Sequence, residues 1–268
     1  MSLFTLVRIG TAAAALGTAA AASALVPFDV RYESEGVGIQ NTTATFSTGG
    51  VETFESRTTD CNVCGHNFTT DFGTGGAIQG AYTNVAVINA DQYGGAGGSG
   101  KYAVTFGSSG YSLNLSSTIP GGVNYFGYWL SALDKGNQVS FYSSGKLLFT
   151  FAPQDVITEV NRHANHASYY GNPNASRLGN NSGEPYIFLD FFADHGNFDK
   201  VVFAENPQVG GYESDNHTVG HFVTKGTGTS IPLINSAVPE PATWGMMIAG
   251  FGMVGSGMRR RVRNAVAA

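Results

Sequence analysis

The chain has 268 residues, of which 37 are glycine, 12% are aromatic and only 12% carry a charged side chain. This charged fraction is about half of the roughly 25% that is usual for soluble domains, which argues for β-structure with many turns and against a helical bundle. Residues 25–238 contain nine Lys and Arg against 18 Asp and Glu, and this acidic balance argues against nucleic acids, polyanions and anionic membranes as partners.

The first 24 residues have the layout of a secretory signal peptide. Arg8 closes a short basic region, residues 9–22 are small and apolar, and Ala22-Ser23-Ala24 matches a cleavage site. The alternative, an Ala-rich first helix, lacks a polar face at helical spacing. We therefore predict export and cleavage after Ala24.

Residues 25–223 form the predicted body, in which short strands recur between Gly, Asn or Pro residues. Alternating or aromatic-rich runs predict strands at 28–33, 44–47, 82–88, 102–106, 111–115, 124–130, 138–142, 146–151, 186–192, 200–203 and 217–222. One short helix is predicted at 153–160, with Pro153 at its first position and Asp155 in its first turn. Many strands with few helices predict an all-β fold, a β-sandwich of jelly-roll type.

Two cysteines, Cys61 and Cys64, lie in the sequence "DCNVCGHNF". In an exported protein an isolated pair at this spacing indicates a small local disulfide. A redox motif would need a helix N-terminus in a βαβ unit, and a zinc site would need a fourth ligand beside the cysteines and His66. We predict the disulfide.

Two stretches of the body, one aromatic and one glycine-rich, have both a functional and a structural interpretation. Tyr128 and Trp129 in "NYFGYWL" could stack on sugar rings, or they could pack in the core. The glycine-rich stretch 93–102 matches most of a phosphate-binding loop, but Tyr102 replaces the required Ser or Thr and a strand follows it, which predicts a hairpin connection instead.

A group of oxygen-bearing side chains stands in "YESDNHTVGH". Glu213, Asp215 and Asn216 are ligands of the type that Ca²⁺ prefers, and on a strand Glu213 and Asp215 face the same side. The alternative is that Asp215 and Asn216 only hydrogen-bond a turn. We expect no other cofactor.

The six histidines show no catalytic pattern. The pairs at 163 and 166 and at 217 and 221, together with His195, lack the Glu companion of a zinc protease motif. They are interpreted as scattered surface residues. No nucleophile elbow or complete phosphate loop is present in the sequence.

The C-terminal 45 residues read as a linker followed by a membrane-directed tail. Residues 224–238 are rich in Thr, Gly and Ser, and residues 244–258 form an apolar run of about 22 Å as a helix. That run is shorter than the roughly 30 Å hydrocarbon core of a bilayer. Arg259, Arg260, Arg261 and Arg263 follow it and favour a cytoplasmic C-terminus, with the body outside.

The tail, residues 239–268, resembles a known sorting signal. Pro239-Glu240-Pro241, Trp244, the apolar run and Arg259, Arg260 and Arg261 are similar to the PEP-CTERM signal of Gram-negative bacteria, with Gly245 in place of an Ala. The resemblance implies recognition by an exosortase, only transient contact with the membrane through a short helix, and transfer to the cell surface or matrix. Stretches between 124 and 222 also resemble exosortase-dependent surface proteins, whose β-sandwich bodies have no known catalysis.

These observations predict an exported, non-enzymatic protein of the cell surface or exopolysaccharide matrix. The first alternative is a carbohydrate-binding module for extracellular polysaccharide. The second is a secreted hydrolase, which would need an exposed cleft in which titratable groups converge. The predicted partners are the exosortase and an exopolysaccharide, with no nucleic acid.

Overall fold

Residues 28–33, 39–59, 64–73, 75–106, 110–151 and 153–233 are described by a computed structural model. They form strands β1 (Phe28–Tyr32), β2 (Thr45–Glu52), β3 (His66–Asp71), β4 (Ile78–Asn89), β5 (Lys101–Thr105), β6 (Tyr111–Ser117), β7 (Tyr125–Ser131), β8 (Asn137–Ser143), β9 (Lys146–Phe151), β10 (Ile187–Ala193), β11 (Lys200–Glu205), β12 (Tyr212–Thr224) and β13 (Thr229–Ser230). The helix α1 spans Pro153–Val160, and short 3-10 helices span Ala96–Gly98, His166–Tyr169 and Ala175–Arg177.

The described strands pair antiparallel into one continuous sheet. Its order is β13-β1-β10-β7-β12-β5-β4-β6-β11-β8-β9, with β2 paired to β12 and β3 paired to β4 off this path. The β8–β9 connection is a tight hairpin in which Ser144 and Gly145 both have positive φ, 51° and 76°. A two-residue turn with positive φ at both positions has a backbone twist that matches the twist of the flanking strands.

The sheet curls where its long strands change partners. β4 pairs with β6 through residues 78–83 and with β5 through 86–89. Between these segments Asn84 has a φ of 63°, and its side chain donates to the Gly110 carbonyl at 2.9 Å. β12 changes partner in the same way, from β5 at 212–214 to β2 at 217–224, around Asn216 with a φ of 48°. An extra residue of this kind bends a strand and increases its twist.

Aromatic side chains fill the space between the two halves of the curled sheet. Phe28 of β1 stacks on Phe149 of β9 with ring centroids 5.0 Å apart, and Phe141 of β8 contacts Phe191 of β10 at 5.1 Å. These strands lie far apart in the sheet order, so the two halves pack face to face as in a β-sandwich. The all-β prediction is confirmed, and the two layers are parts of one continuous sheet.

Each predicted strand overlaps an observed one, and α1 lies where the helix was predicted. The connection at 93–102 joins the antiparallel strands β4 and β5, as a hairpin should. β3 was not predicted, because "HNFTTD" is largely exposed and polar and carries no apolar alternation. The jelly-roll subtype stays a prediction.

The described part of the predicted linker, up to residue 233, packs against the body. β13 pairs with β1, and the backbone N–H of Ile231 donates to the Val30 carbonyl at 2.8 Å. Ile231 is buried in the core. Leu233 also packs against this core, so two apolar side chains hold the Thr- and Gly-rich segment against the sheet.

The predicted signal peptide (1–24), the rest of the linker and the sorting segment (239–268) lie outside the described residues. Of the residues that the structure does describe, none belongs to a helix that is long and apolar enough to cross a membrane.

Candidate functional site

An acidic cleft of about 520 Å³ opens where three connections of the sheet meet. The β4–β5 connection, the β7–β8 loop and the β11–β12 loop surround it. The lining residues are Ile88, Asp91, Tyr93, Tyr102, Phe106, Ala132, Asp134, Glu184, Val209, Gly210, Gly211 and Glu213. We call this feature the acidic cleft.

Aromatic rings form one wall of the acidic cleft. The Tyr102 hydroxyl donates to Asp91 Oδ1 at 3.0 Å, and the same oxygen accepts the Tyr93 N–H at 2.8 Å. Asp91 therefore holds the hydroxyl of Tyr102 and the backbone of Tyr93 in the loop. Tyr93 is 44% exposed, so its ring is accessible to a molecule that enters the cleft.

The other carboxylates of the cleft form no ion pair with a residue that the structure describes, and the Glu213 carboxylate accepts a hydrogen bond from its own backbone N–H. Glu213 is only 4% exposed, and neither Glu213 nor Asp134 forms an ion pair or a side-chain hydrogen bond with another described residue. Burial, and then the negative charges of Asp134 and Asp91, raise the pKa of Glu213 well above its ordinary value. Burial also raises the pKa of Asp134 and of Glu184.

No described residue that lines the acidic cleft is basic. Buried carboxylates without cations are unfavourable in a folded protein, and they are a frequent property of binding and catalytic sites. The cleft therefore suits a ligand that donates hydrogen bonds or carries positive charge, and it disfavours an acidic ligand.

Two consecutive glycines keep the acidic cleft open. A Cβ at Gly210 would collide with Asp134 Oδ2, and a Cβ at Gly211 would collide with Glu213 Oε1 and with Phe106. Gly210 also has a φ of 77°, which favours glycine. The absence of side chains here lets both carboxylates lie against the backbone.

The long connection between α1 and β10 fixes the outer rim of the cleft. The side chains of Asn172, Asn181 and Tyr186 all donate to the Gln92 carbonyl, at 3.0, 2.9 and 2.9 Å. This convergence holds the β4–β5 connection against the segment that carries Glu184.

The hypothesis that Tyr128 and Trp129 stack on sugar rings is wrong. Tyr128 is fully buried and Trp129 is 1% exposed. Because the strand packs on both faces, one ring enters the main core and the other packs on Tyr186 with centroids 5.9 Å apart. Neither ring has a free face.

The three residues of the calcium hypothesis have separate surroundings. Asp215 accepts the N–H groups of Ala96 and Asn216 at 2.7 and 2.6 Å, and the Asn216 side chain donates to the Gln40 carbonyl at 2.8 Å. Glu213 lines the acidic cleft. Among the described residues no three His, Cys, Asp or Glu side chains gather as they would around a metal, and calcium at these positions stays a prediction.

His217 is not a surface residue, contrary to the interpretation from sequence. It is fully buried, and its ring nitrogens form hydrogen bonds with the Tyr82 hydroxyl at 2.9 Å and the Ser214 hydroxyl at 3.0 Å. Ser214 in turn bonds the Tyr111 hydroxyl at 2.5 Å. Burial lowers the pKa of His217 to about 3. We call these four residues the His217 network.

A bulge in strand β12 sets the face on which His217 lies. Simple alternation puts residue 217 on the same face as Asp215. The register shift between Asp215 and Thr218 inserts Asn216 as an extra residue, which turns His217 to the core face beside Ser214.

Cys64 lies in the described part of the chain and Cys61 outside it. The Cys61–Cys64 disulfide stays a prediction. An intact mass of the unreduced protein that shows two free thiols would contradict it.

Sequence reasoning did not identify the acidic cleft. Its acidic residues stand at 91, 134, 184 and 213, each in a different connection or strand, and they form no linear motif. The one local signal is "VGGYE", in which two glycines precede a strand whose second residue is Glu213.

A model of the PEP-CTERM protein-sorting motif matches residues 237–261. The matched range contains Pro239, Glu240, Pro241 and Trp244, and it ends with Arg259, Arg260 and Arg261. The chain carries this motif, which implies export, surface sorting in Gram-negative bacteria and processing by an exosortase. A search of curated proteins finds no match to the chain.

Proposed function

We propose that this protein is a non-enzymatic component of the cell surface or exopolysaccharide matrix, released from the membrane after an exosortase processes its C-terminal motif. The observation that carries the proposal is the sorting motif at 237–261, which follows an all-β body. The predicted signal peptide starts export, and the arginines after the apolar run hold the C-terminus in the cytoplasm until processing.

The test changes both prolines of the motif. Pro239→Ala with Pro241→Ala should leave a longer form in the membrane fraction, because the peptide next to the apolar run is no longer recognised. The mature C-terminus is mapped by mass spectrometry after cells, membranes and medium are separated. Pro120→Ala, in an exposed loop of the body, is the control and should be processed normally. Release of the double variant at normal size would contradict the proposal.

A second candidate function is binding of extracellular polysaccharide in the acidic cleft. It is favoured by the combination of an exposed ring at Tyr93 with a half-buried carboxylate at Asp134 and a buried one at Glu213. Rings stack on the apolar face of a pyranose, and carboxylates accept hydrogen bonds from its hydroxyls. The negative charge of the cleft favours neutral or cationic sugars over uronic acids.

Affinity electrophoresis of the full chain through gels that contain extracted exopolysaccharide tests this candidate. Tyr93→Ala and Asp134→Asn should each weaken the retardation about tenfold or more, in line with the loss of one stacked ring or one charged hydrogen bond. Tyr142→Ala on β8 removes a partly buried tyrosine that does not line the cleft, and it should be retarded like the wild type. No retardation of the wild type on any extracted polysaccharide would contradict this function.

The acidic cleft also meets the condition set above for a hydrolase, since titratable groups converge in it. The same polysaccharides are therefore incubated with the protein and assayed for new reducing ends. A non-enzymatic protein releases none. Release by the wild type that Glu213→Gln abolishes would replace binding with hydrolysis as the function.

A further inference from the structure

A buried polar pair lies at the ends of β8 and β11, next to the acidic cleft but apart from it. Asn137 and Glu205 are directly opposite each other in this antiparallel pair. Burial alternates along both strands, so the two side chains share the core-facing side with Val139 and Phe203. Asn137 is 2% exposed and Glu205 is 1% exposed.

The polar atoms of this pair have no partners. Both carboxylate oxygens of Glu205 and both terminal atoms of the Asn137 carboxamide lack a hydrogen-bond partner among the described residues. Directly opposite residues have Cβ atoms about 5 Å apart, yet the two side chains do not bond each other. A buried carboxylate in this condition strongly destabilises the fold unless another group satisfies it.

The chemistry of the pair indicates which kind of group fits. Burial raises the pKa of Glu205 to about 7, the backbone N–H of Val209 opposes this rise, and the nearby charge of Asp134 adds to it. An anion is excluded by these two carboxylates. Zinc and similar metals prefer His and Cys ligands, which the pair does not offer. A carboxylate and a carboxamide oxygen are ligands that Ca²⁺ takes, together with backbone carbonyls and water.

We propose that Glu205 and Asn137 supply the side-chain ligands of a Ca²⁺ site between β8 and β11, completed by backbone carbonyls and water. The site is separate from the residues 213, 215 and 216 of the calcium hypothesis. With a single carboxylate it is a weak site, in the range of about 10⁻⁴–10⁻³ M that is found in extracellular modules.

The position of the site gives the ion a role in the shape of the acidic cleft. β8 begins where the β7–β8 loop ends, and β11 ends where the β11–β12 loop begins. These loops already contact each other, since the Asn206 N–H donates to the Gly136 carbonyl at 2.7 Å. They carry Asp134, Gly210 and Gly211 of the cleft, so an ion at their base would hold that wall in place.

Calcium titration of the full chain after chelation tests the proposal, with thermal unfolding and calorimetry as readouts. At 10 mM Ca²⁺ the wild type should gain about 5 °C in Tm, because a ligand bound only by the folded state stabilises it. Glu205→Gln keeps the shape of the side chain but removes its charge, and it should lose this gain.

Glu213→Gln is the matched control, because it makes the same change at another buried glutamate. It should keep the full response to Ca²⁺. The proposal is overturned if the wild type does not respond, if Glu205→Gln keeps the response, or if Glu213→Gln alone loses it, which would place the ion at residues 213, 215 and 216.

Asn137→Asp provides a test in the opposite direction if Glu205→Gln fails to fold. A second carboxylate should lower the midpoint of the Ca²⁺ titration about tenfold, since ligand charge sets the affinity of such sites. An unchanged midpoint would overturn the proposal.

Discussion

The His217 network and the Asn137–Glu205 pair are two buried polar groups of opposite kinds within one fold. In the network, both ring nitrogens of His217 and the hydroxyls of Tyr82, Ser214 and Tyr111 are joined by hydrogen bonds. In the pair, four buried atoms have no partner among the described residues.

Whether a buried polar group has hydrogen-bond partners indicates whether its role is structural or functional. A buried polar network that satisfies its own members rigidifies the core and needs nothing from outside. A buried polar pair that is unsatisfied needs a ligand. In the adjacent acidic cleft the buried Glu213 carboxylate lies near other acidic groups, and no described residue of the lining is basic. The three substitutions and one pH comparison that follow test this division, from the largest expected effect to the smallest.

Replacing His217 should cause the largest loss of stability. His217→Ala leaves a cavity and removes the partners of Tyr82 and Ser214, so the free energy of unfolding should fall by about 3–5 kcal/mol. Denaturant unfolding measures it. His195→Ala, at an exposed position, should change stability by less than about 0.5 kcal/mol. A loss below about 1 kcal/mol at His217 would show that the network does not stabilise the fold.

The stability that His217 contributes should also depend strongly on pH, by an amount nearly as large as the loss on substitution. The folded pKa of about 3 lies below the unfolded value of about 6.5, so the unfolded state binds more protons between them. The stability that neutral His217 contributes is therefore present above about pH 6.5 and is lost as the pH falls toward 3.

The measurement compares the wild type with His217→Phe at pH 7.5 and pH 4.5. The advantage of the wild type should shrink by about 2–3 kcal/mol between these pH values. Buried acids such as Glu205, Asp190 and Asp215, whose pKa is raised to about 7, act in the opposite direction but are common to both proteins. A constant difference would mean that the pKa of His217 is the same in the folded and unfolded states.

Glu213→Gln should stabilise the protein in alkaline conditions. The raised pKa of Glu213 means that its contribution to stability is present in acid and is lost as the pH rises through the folded pKa. The carboxamide carries no charge to bury, so the variant should be about 1–2 kcal/mol more stable than the wild type at pH 8 and nearly equal at pH 4. A destabilised variant at pH 8 would mean that Glu213 has a stabilising partner.

Closing the acidic cleft should have the smallest effect on stability. The added methyl group of Gly211→Ala meets Glu213 and Phe106, and overpacking of this kind costs about 1 kcal/mol. Binding of polysaccharide should nevertheless be lost. Gly183→Ala points into open space and should change neither property. Equal binding by both variants would exclude the cleft as the binding site.

The sequence predicted helix α1 and all the described strands except β3 and β13, because their signals are local. The hairpin at Ser144 and Gly145 and the alternation along β9 can be read within a few residues. Two features could not be predicted in this way. The bulge at Asn216 turns His217 to the core face, and Asn137 meets Glu205 only through the register of two strands 68 positions apart. Contacts of this range depend on the whole topology, and no local pattern encodes them.

The sheet cannot be completed before β12 is available, because β12 lies at its centre. β12 bonds β2, β5 and β7, and residues 212–224 are almost the last of the body. If export begins at the N-terminal signal, as we predict, the sheet stays incomplete until these residues have crossed the membrane. The sorting motif follows 13 residues later. Folding of the body and presentation of the sorting motif then coincide. A chain cut short before β12 would have neither a closed sheet nor this motif, so only finished copies would be sorted to the cell surface.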